Sequence, residues 1–169
     1  MNPHLKSVDR QTLEGMLVDF AKNWLAHDGL WFQAVEKECG MKTAIKLDTE
    51  AWAEFTRIEA KRIMERHKIP QNGGLDALKK ALGFRLYAFL NEQTITEETQ
   101  NYFVFKMADC RVQSARKRKN LPLFPCKSVG IVEYTEFARA IDPRIRTECL
   151  GCPPDDTERD FYCGWRFSI

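Results

Sequence analysis

The chain has no apolar run approaching the roughly 18 residues of a membrane-spanning helix, which argues against a membrane partner. Its N-terminus, Met1-Asn2-Pro3-His4-Leu5-Lys6, lacks the apolar h-region of a secretory signal, so a cytoplasmic address is expected. It also lacks an excess of charge. Its 26 basic and 24 acidic residues leave a net charge of +2, well short of the basic surplus of a dedicated nucleic-acid binder. There is no internal repeat, no low-complexity tract and no long polar linker. The 169 residues are therefore expected to form one compact unit, large enough to bury a core without staples. Cysteine is not scarce. Five of the six cysteines fall after residue 109, and in a reducing compartment such clusters point to metal ligands or reactive thiols before disulfides.

Hydrophobic periodicity divides the chain into a helical half, 1–86, and a cysteine-rich α+β half, 87–169. Asp9 can cap a helix over 9–26, with Leu13, Met16, Leu17, Phe20 and Trp24 at three- and four-residue steps. His27-Asp28-Gly29 reads as a break, and a second helix runs through Trp31 to a stop at Cys39-Gly40. After a short helical turn, Asp48 is expected to open a longer helix striped by Trp52, Phe55, Glu59 and Ile63. Leu75, Leu78, Leu82 and Leu86 mark another. The period then changes to two: Phe103, Phe105 and Met107 alternate as a strand, with a hairpin partner within Tyr87–Ile95. A short basic helix over Val112–Lys119 and a helix over Ser128–Ile141 precede two last strands, 145–149 and 161–169. The expected fold is α+β, with the helical half packed on an antiparallel sheet that has helices on one face.

The runs Asp109-Cys110-Arg111, Phe124-Pro125-Cys126-Lys127, Cys149-Leu150-Gly151-Cys152-Pro153-Pro154-Asp155 and Cys163-Gly164-Trp165-Arg166-Phe167, with His27-Asp28-Gly29-Leu30-Trp31-Phe32 upstream, resemble an uncharacterised prokaryotic cytosolic family. That family is similar to the L-2-amino-thiazoline-4-carboxylic acid hydrolase-like proteins and, more distantly, to vinyl-4-reductase-type small-molecule-binding domains. The resemblance implies an α+β ligand-binding domain and, for an enzyme, hydrolysis of a C–N bond in an amidine or thiazoline.

Three groups of residues carry candidate chemistry. Cys149-x2-Cys152 has the bite of a Zn²⁺ or iron–sulfur ligand pair, Cys163 lies across the hairpin from it, and Cys126 or Cys110 would complete four ligands. The competing reading makes Cys149 and Cys163 buried small hydrophobes, and solitary Cys39 is expected to be structural. Cys126 and Cys110 also precede helices, where a thiol pKa falls, so either is a candidate nucleophile, with Glu133 or His27 as base. Thioredoxin-type chemistry at Cys149/Cys152 is disfavoured, because Pro153-Pro154 and not a helix follows the pair.

His27-Asp28 and Glu59 form the second group, with His27 and Glu59 as base and acid; the alternative is a Glu59 paired with Arg or His between two helices. The third is the run Arg111, Arg116, Lys117, Arg118, Lys119, read first as a solvated face. Arg116 is its member closest to the apolar side and a candidate anion ligand with Trp31 and Tyr134. The expected partner is a small anionic molecule. The alternatives are a non-catalytic sensor with a structural metal and, more weakly, a nucleic-acid-binding regulator. Aromatic side chains in the helical half leave room for a homodimer face.

Overall fold

The computed structural model describes residues 2–169. Asp9 caps the first helix, α1 (Arg10–Cys39), accepting the Thr12 N–H at 2.9 Å. Gly40, at φ 80°, ends it and starts α2 (Met41–His67) with no intervening loop. The two helices fold back on each other through aromatic side chains. Trp24 stacks on Phe55 at 5.3 Å and meets Trp52 edge-on at 5.9 Å. Neither expected break occurs. His27-Asp28-Gly29 lies inside α1 and Asp48 inside α2. A glycine within a helix costs only about 1 kcal/mol, and the buried series Ala44, Trp52, Thr56, Ala60, Ile63 carries α2 straight past Asp48.

Helix α3 (Gly74–Leu82) stops four residues short of Leu86, which starts a 3₁₀ turn over Leu86–Phe89. Strands β1 (Glu92–Thr96) and β2 (Tyr102–Asp109) form the expected hairpin. The basic helix is α4 (Arg111–Arg118), the next is α5 (Lys127–Ile141), and β3 (Arg146–Gly151) and β4 (Cys163–Ser168) close the chain. The sheet is antiparallel throughout, in the order β1-β2-β4-β3. The fold is α+β.

Helix α5 lies between α2 and the sheet. It approaches the sheet closely because Gly130 has no side chain: a Cβ there would stand 2.8 Å from the Trp165 ring. Phe103, Phe105, Trp165 and Phe167 face α5 and, with Phe137, Ala138 and Ile141, fill the main core. The outer face of the sheet is charged, with Arg166 3.3 Å from Glu148 and over the Tyr102 ring. No described helix is long and apolar enough to cross a membrane.

Candidate functional site

A C-x2-C step on a regular strand sends its two side chains to opposite faces. Strand β3 avoids this. Cys149 pairs with Trp165 and Gly151 with Gly164, so Leu150 is the extra residue of a β-bulge. Gly151 and Gly164 then share the outer face beneath Phe161, whose ring would lie 2.9 Å from a Cβ at Gly164. Cys152 turns inward on the same side as Cys149 and is buried in the main core. Cys163 pairs with Met107 on that face. From the helical side comes Cys126, the residue before α5, whose Sγ lies 3.4 Å from that of Cys152. Gln113 of α4 fixes this corner. Its amide bonds both the Phe124 carbonyl (2.8 Å) and the Phe124 N–H (2.9 Å), and its Nε2 lies 3.5 Å from Cys126 Sγ.

These thiols form part of the wall of a cavity of about 370 Å³ between the helices and the sheet. Cys110, Cys126, Cys152 and Cys163 line it; Cys149 and Cys39 do not. Three carboxyl groups face the same space: Asp28 from α1, Asp48 from α2 and Glu133 from α5. Between them stand Trp52, Tyr87, Tyr134 and Trp165. Four exposed cations, Lys22, Arg111, Arg118 and Lys119, complete the lining on the solvent side.

The carboxyl groups are held away from their ordinary ionisation. Burial pushes Asp48 up to about 7, with the Asp28 and Glu133 charges adding to it. Burial likewise pushes Glu133 up to about 7, against the pull of Arg85. Asp28 is raised by burial, partly opposed by His27. The thiols are driven apart. The Cys152 thiol holds Cys126 below the ordinary range, with further help from Gln113, and also lowers Cys149 to about 7. Cys152 itself is raised strongly by its contacts with Cys126, Cys149 and Cys163 and by burial. Burial pushes Cys110 up to about 12, which leaves it a poor nucleophile despite its place before α4.

Behind the cavity wall, Arg85 is 2% exposed and bridges two carboxylates. Its Nε donates to Glu59 at 2.8 Å, and its Nη2 lies 2.8 Å from Glu133, close but out of hydrogen-bond alignment. The rings of Phe137 (4.5 Å), Tyr134 (5.3 Å), Tyr87 (5.7 Å) and Trp52 (6.0 Å) surround the guanidinium. They compensate electrostatically for its unbonded N–H groups.

The residues expected from the sequence are therefore divided. Cys110, Cys126, Cys152, Cys163, Tyr134, Arg116 and Glu133 meet at the cavity. His27 is exposed on α1 and outside the lining, and Glu59 is taken up by Arg85, so they do not form an acid–base pair. Trp31 is 69% exposed and outside the lining. Arg116 does turn inward, but its guanidinium is fully engaged by Glu36 (2.8 and 2.9 Å) and the Pro122 carbonyl. Cys39 is exposed at the end of α1 and supports no packing. Zn²⁺ or an iron–sulfur cluster needs three or four sulfurs around one centre. No group of three or more His, Cys, Asp or Glu among the described residues is placed to hold a metal ion, so the thiols as placed do not fit one.

Asp48 was missed because it reads as the start of a helix, and Asp28, grouped with His27 and Glu59, was placed at a helix break and given no role of its own. The signal was present: Asp48 continues the four-residue series from Ala44 to Trp52, and Asp28 the series from Ala21 and Leu25. No curated protein matches the chain. A family model does match, over residues 6–169, and on that match the chain belongs to DUF6125, a family of unknown function.

Proposed function

We propose that this protein binds a small anionic molecule in the cavity between its helices and its sheet. The observation that carries this reading is the cavity's polarity: exposed Lys22, Arg111, Arg118 and Lys119 on the solvent side, aromatic and ionisable groups within. Cations around an opening raise the local concentration of an anion, and the apolar rings inside supply the contact area. Titration calorimetry with a thiazoline carboxylate and its uncharged methyl ester tests it. The acid should bind, more weakly as salt is added and in an Arg118→Ala/Lys119→Ala double variant. Equal binding of the ester overturns the anionic reading.

A second reading, hydrolysis of a C–N bond, is favoured by Asp48 and Glu133. Two carboxyl groups that both titrate near pH 7 can divide acid and base roles. The ionised one takes a proton from the attacking water, and the protonated one delivers a proton to the leaving nitrogen. Ring opening of the thiazoline by the native protein, lost in Asp48→Asn, is the expected result. No turnover by the native protein removes this reading and leaves the binding proposal standing.

A further inference from the structure

Cys126 and Cys152 are 26 residues apart in sequence, yet their sulfurs are in contact at 3.4 Å. Their surroundings differ. Cys126 is half-buried, precedes the 15-residue helix α5, and has the Gln113 side-chain N–H directed at its sulfur. Cys152 is 1% exposed, set behind Cys126 by the β3 bulge. A helix N-terminus and an N–H donor both favour a thiolate. A buried thiol beside it remains protonated until needed. We propose that Cys126 and Cys152 form a dithiol that reduces a small, anionic disulfide entering the cavity, with Cys126 attacking and Cys152 resolving.

In the first step the Cys126 thiolate attacks one sulfur of the substrate R–S–S–R′. A Cys126–S–S–R bond forms, the substrate S–S bond breaks, and R′–S⁻ leaves with the electron pair. Cys152 then attacks Cys126 Sγ, and its proton departs with the second leaving group as R–SH. The two protein sulfurs close from 3.4 Å to about 2 Å. The protein is oxidised by two electrons, and the substrate disulfide, itself the oxidant, is reduced to two thiols. Cys149 and Cys163 also touch Cys152; Cys149 does not line the cavity, and Cys163, which does, lies on β4 without the helix start and the Gln113 N–H that Cys126 has. Exposed Cys39 reacts independently and has no partner thiol among the described residues.

The inference uses the cavity of the preceding section for access, but calorimetry with the carboxylate tests that reading separately. The experiment is reaction of the reduced full-length Cys39→Ser chain with oxidised glutathione, followed by peptide mapping and zinc analysis. Two glutathione thiols should be released per chain, with a Cys126–Cys152 disulfide as product. Cys152→Ser should stop at one glutathione held on Cys126, and Cys126→Ser should slow release by about tenfold or more. The mapping of the parent chain decides the matter even where a variant fails to fold. A Cys149–Cys152 or Cys152–Cys163 product, no disulfide at all, or one zinc per chain that must be removed before any thiol reacts would each overturn the proposal.

Discussion

Arg85 is buried at the junction of α2, the 3₁₀ turn and α5, and its charge is the counterweight to Glu59 and Glu133. Burial works against that charge, and the two carboxylates more than offset it, holding the guanidinium above its ordinary range. Removing one member of such a group strands the others in a medium that cannot solvate them. Arg85→Leu should therefore destabilise the fold by about 3–5 kcal/mol, read as a fall in the urea midpoint at pH 7. Asp48 and Glu133 give a second expectation at this scale. Both are raised to about 7 in the folded chain, so between about pH 4 and pH 7 the native state holds protons that the unfolded chain has released. Stability should fall as pH rises through that window. Asp48→Asn should flatten the profile, gaining stability at pH 8 and changing little at pH 4, as followed by chemical unfolding at several pH values.

Among the elements, β3 shows most directly how one residue sets the site. Deleting Leu150 would make the step C-x-C on a regular ladder, with Gly151 still opposite Gly164 and Cys152 still on the inner face with Cys149. The variant should keep the Cys126–Cys152 contact, with Cys152 no faster to alkylate in the native state, whereas a second residue inserted beside Leu150 should turn Cys152 to the outer face and raise its alkylation rate. Strands and helices were readable from their periods because their stripes are apolar, as in Phe103–Phe105–Met107 and Gly130–Tyr134–Phe137. The bulge was not readable. Cys149-Leu150-Gly151-Cys152 suits a turn, a metal knuckle or a slipped ladder equally well, and only the pairing of Gly151 with Gly164 decides. The two false breaks, at Asp28 and Asp48, have the same origin. An acidic residue at a core-facing position resembles a cap when the space it faces is not yet known.

The whole molecule brings together groups that are far apart in the chain. Asp28 and Cys163 lie near its two ends and line one space. The sequence indicated which thiols would be neighbours within the last hairpin, but the Cys126–Cys152 contact depends on how α5 packs against the sheet, which rests on Gly130 and Trp165. Charge distribution is likewise a property of the assembled molecule. The basic run on α4 reads as uniform along the chain, yet folding sends Arg116 inward to Glu36 and leaves Arg111, Arg118 and Lys119 at the opening.

Trp165 supports α5 on one side and lines the cavity on another, and its indole N–H is buried with no acceptor. With Trp52 it gives the cavity two of the chain's four tryptophans, while Trp24 and exposed Trp31 lie outside the lining. The protein thus contains its own optical probe. In a Trp31→Phe background, which removes the solvent-like emission, a carboxylate entering the cavity should shift the wavelength and intensity of the remaining fluorescence, and adding Trp24→Phe and Trp52→Phe should leave only the signal of the indole beside the thiols.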